Sequence, residues 1–392
     1  MPGSTTATPS RDAADLICLS HLRWNFVFQR PQHLMTRCAR DRRVFFIEEP
    51  MIEGHMEPGL DVQRTSSVCV VTPRLPEGLA PYEVTRVVRN LLDEFLAQER
   101  IDDYLLWYYT PMALQVTRHW KPIATIYDCM DELSAFKNAP AELVRLEADL
   151  MRRASLVLTG GHALYEAKQH AHHNIHPFPS SVDVSHFAAA CRPLADPVDQ
   201  ATIPRPRLGF FGVIDERMDL DLVDGIAAAR PDWQIIMLGP VVKISEESLP
   251  RRANLHYLGS KSYQELPRYL ANWDVALMPF ARNASTRYIS PTKTPEYLAA
   301  GKPVVSTAIH DVVRPYGQMG LVTIADDVEG FLQACETYLG EEDGSGRQAA
   351  VDAFLARMSW DDTWHNISLL IDDVLPVRGD GAGALAAEAA AL

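Results

Sequence analysis

The segment SPTKTPEYLAAGKPVVST, residues 290–307, carries a lysine and a single carboxylate at the predicted start of a short helix. Proline is favoured at the first helical positions and acids in the first turn, so Pro295 and Glu296 mark this start. Such a start presents free amides and the positive end of the helix dipole, which suits a pyrophosphate. The amides belong to Thr292, Lys293 and Thr294. The Lys293 ammonium adds a mobile cation, and Glu296 could accept from both hydroxyls of a ribose. A capping carboxylate on an ordinary strand–helix unit explains Glu296 equally well.

A second candidate phosphate contact follows the predicted strand RLGFFGVI, residues 207–214. The guanidinium of Arg217 can bind diphosphate oxygens through two parallel hydrogen bonds. An ion pair with a neighbouring acid, such as Asp215, is the alternative. Gly212 would let the backbone approach the phosphates, although a plain tight turn also explains a glycine there.

The loop SHLRWNFVFQRPQHL, residues 20–34, has too many polar groups for a minimal turn, so we expect it to line a cleft. Among those groups, His21, Arg30 and His33 are candidate contacts for a transferred sugar or its acceptor, and Arg30 is preferred. Trp24 and Phe26 offer flat faces for a sugar ring or a lipid carrier. Packing of both rings on their own domain is the alternative.

Three acids, Asp128, Asp131 and Glu132, follow the predicted strand IATIYD and should face the same cleft. We expect them to contact protons or hydroxyl groups, and we predict no metal site. The run HAHHNIH, residues 170–176, resembles a metal site in composition, but it follows a helix and is predicted to be a set of exposed histidines.

The elements that position these residues alternate between short apolar strands and helices, a pattern typical of parallel α/β sheets. The pattern runs twice, so we predict two doubly wound domains with a cleft between the carboxyl ends of their sheets. The predicted units are a disordered leader (1–14), a first domain that binds the acceptor (15–190), a linker (191–206), a second domain that binds the nucleotide (207–346), C-terminal helices that pack back on the first domain (347–375) and a disordered tail (376–392).

Charge and composition exclude several classes of protein. A formal net charge of −14 over 392 residues disfavours nucleic-acid binding, and no apolar run is long enough to cross a membrane. The six cysteines lie far apart and should be free thiols in a reducing cytoplasm. The sequence also has a basic cluster, which comprises Arg37, Arg40, Arg42 and Arg43. This cluster is either a solvated helix end or a surface that attracts an anionic membrane.

The motif at 290–307 resembles the donor-site motif of GT-B glycosyltransferases of the family 4, or group 1, type. Segments 180–187, 208–219 and 254–280 are similar to other parts of that family in the same order. The N-terminal segments around residues 20–40 and 127–136 look like those of a bacterial subgroup linked to exopolysaccharide and teichuronic-type glycans. The resemblance covers roughly residues 15 to 375 and implies two Rossmann-like domains with a C-terminal helix that crosses back.

The resemblance also implies the chemistry: transfer of a hexosyl group from a UDP- or GDP-linked sugar to a glycan or polyprenyl-linked acceptor, with retention of configuration and without a metal or other cofactor. Asp128 takes the place of a residue near the reacting sugar, and Arg217 matches the family's arginine. The position that holds the accompanying lysine is Leu222 here, so Lys293, or the helix amides alone, would supply the second positive charge. The family usually has an acid eight positions before Glu296, where this sequence has Tyr288.

Such an enzyme would work in the cytoplasm, peripherally on the inner face of the membrane. Two other functions fit the same scaffold: a nucleotide-sugar epimerase or hydrolase, and a catalytically silent binding module. The first would use acid and base groups such as Asp128, Asp131 and His21. The absence of an upstream acid at Tyr288 favours the second, whereas Arg217, Lys293 and Glu296 oppose it.

Overall fold

Two separate sheets of mainly parallel strands, one in each half of the chain, organise the fold. The structure is a computed structural model that describes residues 13–55, 57–341 and 345–376. The expected α/β class with two doubly wound domains is confirmed.

The first sheet follows the order β3-β5-β2-β1-β6-β7-β8-β9, and β4 pairs antiparallel with β5. Its strands are β1 (Asp15–Ser20), β2 (Val44–Glu48), β3 (Met51–Ile52), β4 (Gly59–Arg64), β5 (Cys69–Leu75), β6 (Tyr104–Tyr108), β7 (Ala124–Cys129), β8 (Leu156–Thr159) and β9 (Ile175–Pro177). Six of these strands are short apolar segments of the kind that the alternating pattern predicts. The pattern does not show β3, β4 and β9, because β3 and β9 have only 2 and 3 residues and β4 is largely exposed.

Helices cover both faces of the first sheet. They are α1 (Arg30–Cys38), α2 (Pro81–Glu99), α3 (Leu114–Thr117), α4 (Leu143–Arg153) and α5 (His162–Lys168). Successive side chains of a strand point to opposite faces. In β1, Ile17 and Leu19 therefore join the core with α2 and α4, whereas Leu16 and Cys18 join the core with α1.

The second sheet has the strand order β12-β11-β10-β13-β14-β15, and all its pairings are parallel. Its strands are β10 (Arg207–Phe211), β11 (Gln234–Leu238), β12 (Leu255–Gly259), β13 (Val275–Met278), β14 (Val304–Ser306) and β15 (Thr323–Ile324). The helices from here onward are α6 (Val184–Phe187), α7 (Leu220–Ala229), α8 (Leu266–Leu270), α9 (Lys293–Ala299), α10 (His310–Val312), α11 (Val328–Leu339), α12 (Ser345–Leu355) and α13 (Trp360–Val374).

Several single turns of 3₁₀ helix and one π turn complete the secondary structure. The 3₁₀ turns are Pro111–Ala113, Leu133–Ala135, Ala188–Cys191, Glu246–Ser248 and Tyr263–Glu265, and the π turn is Val313–Gly317.

The chain passes into the second domain earlier than residue 190, where we had placed the boundary. Val182, Phe187 and Ala190 are buried in the core of the second domain, because α6 packs against α8 and α9. The helix has only 4 residues, so no change of hydrophobic period in the sequence marks this crossing.

The segment 191–206, predicted as a linker, contains neither helix nor strand beyond Cys191 but is fixed to the second domain. The side chain of Gln200 is fully buried, accepts from the Trp273 indole at 2.9 Å and donates to the carbonyl of Tyr269 at 3.2 Å. Arg207 binds Asp196 at 2.9 Å, which ties the segment to the start of β10. These polar contacts could not be read from a proline-rich composition.

The last helix crosses back, as expected, and completes the first domain. Trp360, Trp364, Ile367 and Ile371 of α13 enter the same core as α1. Arg37 and Arg40 bind Asp361 at 2.9 and 2.7 Å, so half of the basic cluster joins α1 to α13. We had assigned all of 347–375 to this packing, but Val351 and Leu355 of α12 are buried in the second domain.

Residues 1–12 of the predicted leader and residues 377–392 of the predicted tail lie outside the described residues. Among the described residues, no helix is both long and apolar enough to cross a membrane. All six cysteines are free thiols.

Because α13 is buried against the first domain, truncating one of its buried side chains should destabilise that domain. Ile367→Ala should lower the free energy of unfolding by about 2–5 kcal/mol, because it leaves a cavity at a side chain that is 0% exposed. The matched control is Leu369→Ala in the same helix, where the side chain is 51% exposed and the change should stay within about 0.5 kcal/mol. Urea unfolding of both variants measures the difference, and equal losses would contradict the packing of α13.

Candidate active site

A cavity of about 360 Å³ lies between the two domains and is lined by residues from both. The first domain contributes the loop from Trp24 to Gln29, and the second contributes the loops that follow β10, β11 and β12 and the start of α9. These are carboxyl ends of parallel strands, where open α/β sheets bind ligands.

A deeper chamber of about 100 Å³ adjoins this cavity and shares part of its wall. The wall common to both consists of Gln29, Val213, Arg217, Thr292 and Lys293. Arg30 and Asp131 line only the chamber, and Glu296 lines only the larger cavity. Two cations therefore stand at the junction of two spaces of different size.

Helix α9 begins at Lys293, with Thr292 as the residue before its first turn. Thr294, which we had expected to offer its amide to a phosphate, cannot do so. Its side chain is 0% exposed and its amide donates to the carbonyl of Pro291 at 3.3 Å. Of the three predicted groups, Thr292 and Lys293 line the cavity.

The Lys293 ammonium lies between two aromatic rings, 5.4 Å from the centre of Phe210 and 5.9 Å from that of Phe280. Its tip rests on Gly212, where any β-carbon would collide with it. Gly212 has φ +132°, a conformation that other residues rarely adopt, so the glycine is required for both reasons. Burial, together with the charge of Arg217, lowers the pKa of Lys293.

Gly239 was missed by the sequence analysis. It has φ +142°, and a β-carbon there would collide with the carbonyl of Gly212. The glycine that ends the predicted strand 233–239 was the available signal. The two glycines let the ends of β10 and β11 approach each other under the cavity.

Glu296 is 4% exposed, and its Oε2 has no hydrogen-bond partner among the described residues. Burial raises the pKa of this carboxyl, and the positive charge of Lys293 opposes the shift. A buried carboxylate oxygen without a partner is costly, so this atom is well placed to receive a ligand hydroxyl.

Tyr263 lines the same cavity and was not singled out from the sequence. Its hydroxyl also lacks a hydrogen-bond partner among the described residues. Burial raises its pKa, and the nearby charge of Glu296 adds to the shift. Its ring stacks on His186 with centroids 4.3 Å apart and meets Phe28 of the first domain at 4.7 Å.

Arg217 forms the ion pair with Asp215 that the sequence offered as an alternative, and its contact with a diphosphate stays a prediction. Its Nε and Nη2 donate to the two oxygens of Asp215 at 2.8–3.1 Å, and Asp215 is 3% exposed. The same guanidinium lines the cavity and the chamber. The ion pair thus fixes the orientation of a side chain that can also bind an anion.

Asp128, predicted beside the reacting sugar, is 0% exposed and lies beneath Arg30. Its two oxygens accept from Nε of Arg30 at 3.1 and 2.9 Å. The prediction of direct contact is therefore wrong: Asp128 is a positioning residue for Arg30. Burial raises its pKa, and the guanidinium opposes that shift.

Asp131, expected on the acceptor side, does reach the chamber. Burial raises the pKa of its carboxyl to about 6, while the charges of Arg217 and Lys243 pull it down. Asp131 lies three positions after Asp128, and the turn after β7 places only the second carboxylate in the open space.

His33 and His21 do not belong to the described lining of either space. His33 is 4% exposed and stacks on Trp360 with centroids 4.5 Å apart. Burial lowers its pKa to about 3, so the ring is a neutral part of the α1–α13 packing. Burial likewise lowers the pKa of His21 to about 4. Neither histidine serves as a sugar contact in this arrangement.

The rings of the first loop divide between packing and exposure. Trp24 packs edge-on against Phe46 at 5.0 Å and still lines the larger cavity. Phe26 is 50% exposed at its rim. Trp24 therefore packs on its own domain, and its contact with a sugar ring or a lipid carrier stays a prediction.

The second domain also caps a helix of the first. Asp311 in α10 is 3% exposed and accepts from the amides of His162 and Ala163 at the start of α5, at 2.7 and 2.9 Å. The glycine before them, Gly161, leaves room for this carboxylate. Gly161 thus serves close packing between the domains, whereas Gly160 leaves room for the backbone of Met130 within the first domain.

Within residues 13–55, 57–341 and 345–376, no three His, Cys, Asp or Glu side chains come together in an arrangement that could hold a metal ion. In the histidine-rich run, His172 bonds to the carbonyls of Asn174 and Ala154 at 2.9 and 3.0 Å.

Comparisons with known proteins agree with this architecture. Residues 205–341 match the protein family described as Glycosyl transferases group 1. A relative from Bacillus subtilis (strain 168), named "Putative teichuronic acid biosynthesis glycosyltransferase TuaH", is 26% identical over 280 residues, which are 64% of this chain and 68% of the relative.

Solved structures share the fold over nearly the whole chain. Sucrose-phosphate synthase from Thermosynechococcus elongatus superposes with a TM-score of 0.69 at 12% identity, covering 92% of this chain and 99% of that one. HepE from Anabaena, solved in complex with UDP and glucose, gives a TM-score of 0.63 at 15% identity, covering 92% and 100%. The second domain therefore matches the Glycosyl transferases group 1 family over residues 205–341, and the two domains together have the GT-B fold of these solved structures.

Proposed function

We propose that this glycosyltransferase moves a sugar from a nucleoside-diphosphate sugar to a glycan or lipid-linked acceptor during synthesis of a bacterial surface polysaccharide. The observation that carries the proposal is the position of Arg217 and Lys293 where the larger cavity meets the deeper chamber. A diphosphate bound there would place a nucleoside on one side and a sugar on the other. The assignment of the Bacillus subtilis relative to teichuronic acid biosynthesis supports the polysaccharide context.

The nucleoside fits the larger cavity. Oε2 of Glu296 and the Tyr263 hydroxyl both lack partners among the described residues, and both residues line this space. A ribose diol would donate to the carboxylate, and the tyrosine hydroxyl would satisfy its remaining hydrogen bonds. The base would then lie against the loop after β12, between Ser260 and Leu266.

The diphosphate fits the junction. The guanidinium of Arg217 is held in place by Asp215, and the Lys293 ammonium stands on the other side of Gly212. Two fixed cations in a partly buried site stabilise an anion strongly and need no reorganisation when charge develops. We propose that these charges, with the Thr292 end of α9, bind the diphosphate without a metal or other cofactor.

The sugar fits the chamber. There Asp131 and Arg30 take the place near the reacting sugar that the resemblance gives to Asp128. We propose front-side displacement with retention. The bond from the anomeric carbon to the phosphate oxygen breaks, and the acceptor oxygen bonds to the same face of that carbon. The acceptor proton passes to the departing phosphate oxygen. Proximity and electrostatic stabilisation would carry most of the rate.

A lipid-linked acceptor would place the enzyme in the cytoplasm, peripherally on the inner face of the membrane. The exposed Phe26 at the rim of the cavity supports an acceptor with an apolar part. The basic cluster gives weaker support, because Arg37 and Arg40 are paired with Asp361 and Arg43 is paired with Asp15.

Glu296→Gln should weaken binding of UDP or GDP by about 1–3 kcal/mol, the range for loss of a charged hydrogen-bond partner. Because burial raises the pKa of Glu296 above its ordinary value of 4.5, wild-type affinity should fall as the pH drops through that raised pKa. The variant should show no such dependence. Calorimetric titration measures both effects, with Glu329→Gln, an exposed acid on α11, as the control. An unchanged dissociation constant would refute the ribose contact.

Arg217→Ala should lower kcat more than it weakens donor binding, because negative charge builds on the departing diphosphate in the transition state. Steady-state kinetics with a donor that the enzyme turns over gives kcat, and a direct binding measurement gives the donor affinity, so the two effects can be separated. Asp215→Asn keeps the guanidinium but loosens it, so its loss should be smaller. Equal losses of kcat and affinity for Arg217→Ala would mean that the arginine stabilises the bound donor and the transition state equally.

The stereochemistry of the product and the effect of a chelator test the mechanism together. NMR of the product should show the anomeric configuration of the donor, and activity should persist in EDTA. An inverted product would exclude front-side displacement and would make Asp131 the candidate base. Loss of activity in EDTA, restored by a divalent cation, would contradict the cofactor-free proposal.

A further inference from the structure

Arg30 carries a buried donor group that the fold leaves unused. The side chain is 2% exposed, and its Nη2 has no hydrogen-bond partner among the described residues. The other nitrogens are occupied: Nε donates to Asp128, and Nη1 donates to the carbonyl of Phe178 at 2.7 Å. A buried guanidinium nitrogen without a partner is expensive, so a fold that retains one generally reserves it for a ligand or an ordered water.

The orientation of this guanidinium is fixed on two sides. Asp128 is the last but one residue of β7, and Phe178 follows β9, so the ends of two strands of the first sheet hold Nε and Nη1. Arg30 itself opens α1 and lines the deeper chamber. A planar side chain held at two of its nitrogens presents the third in a defined direction, which is the arrangement needed to recognise a carboxylate.

The chamber offers more donors than acceptors. Three cationic side chains line it, namely Arg30, Arg217 and Lys293, against the single carboxylate of Asp131. The two serine side chains in the wall bond to each other's backbone: Ser180 Oγ donates to the carbonyl of Ser290 at 2.6 Å, and Ser290 Oγ accepts from the amide of Ser180 at 3.3 Å. A ligand rich in acceptor atoms fits such a wall better than one that supplies hydroxyl groups alone.

We propose that Arg30 determines the specificity for the transferred sugar, and that the chamber selects a hexuronic acid, whose carboxylate accepts hydrogen bonds from Nη2 of Arg30. The inference rests on the proposed function, since it takes the diphosphate to occupy Arg217 and Lys293. Those two cations then bind the donor phosphates, which leaves Arg30 to bind the sugar. A neutral hexose offers a single hydroxyl oxygen at the same place.

Matched donors test the proposal directly. UDP-glucose and UDP-glucuronate differ only at C6, as do UDP-galactose and UDP-galacturonate. Calorimetric titration should show at least one uronate binding about tenfold or more tightly than its neutral partner, the ratio expected for a charge-assisted hydrogen bond. UDP alone is measured in the same series and reports on the nucleotide site.

Variants assign the preference to Arg30. Arg30→Lys keeps a positive charge beside Asp128 but loses the planar donor, and it should reduce the uronate-to-hexose ratio about tenfold while UDP affinity stays within twofold. The double change Arg30→Gln with Asp128→Asn removes the buried ion pair as a unit, which keeps the chamber testable if the single change unfolds the protein. Arg282→Lys, at an exposed arginine that binds Asp326 at 3.0 Å, is the control.

Equal or tighter binding of both neutral sugars would overturn the inference and leave the proposed function standing. A uronate preference that survives in Arg30→Lys and in the double variant would also overturn it, because another residue would then read the carboxylate. Failure of UDP, GDP and every donor to bind would instead refute the proposed function.

Discussion

The approach of one lysine to one glycine sets the geometry of the active site. Lys293 can lie over Gly212 only because that residue has no side chain, and Gly212 in turn sits against Gly239. Phe210 and Phe280 flank the ammonium and shield it from solvent. The positive charge is thereby held at the end of β10, beside Arg217, with little freedom to move. A site whose charges are fixed before the ligand arrives loses little energy to reorganisation.

The two domains meet through backbone groups as well as through the cavity. Asp311 satisfies two amides at the start of α5 that would otherwise lack partners, and the ring of Tyr263 touches Phe28 across the cleft. Helix ends that are buried without a partner are unfavourable. Separation of the domains would expose such an end, so the closed arrangement of the cleft is supported by contacts that do not depend on a substrate.

The sequence was sufficient for the repeated α/β pattern, because near-continuous apolar strands of five or six residues show it clearly. It also pointed to Arg217, whose partner Asp215 is two positions away, and to Lys293 and Glu296, which lie in the first turn of α9. It failed where a contact joins distant residues. Asp128 was predicted to lie beside the reacting sugar, yet it is buried against Arg30, 98 positions away, and binds its guanidinium. His33 was misjudged for the same reason, since its partner Trp360 belongs to the last helix. Tyr288, at the place of the missing acid, packs against the core of the first domain.

The order of synthesis has a consequence for this protein. One of the two cores of the first domain contains Trp360, Trp364, Ile367 and Ile371, which are among the last described residues to leave the ribosome. The second domain draws its core from residues 182–355 and therefore has all its parts earlier. Nascent chains usually fold from the N-terminus onward. Here the first domain to be translated is completed after the second, and its apolar face along Leu34 and Trp107 must wait for α13 to be synthesised.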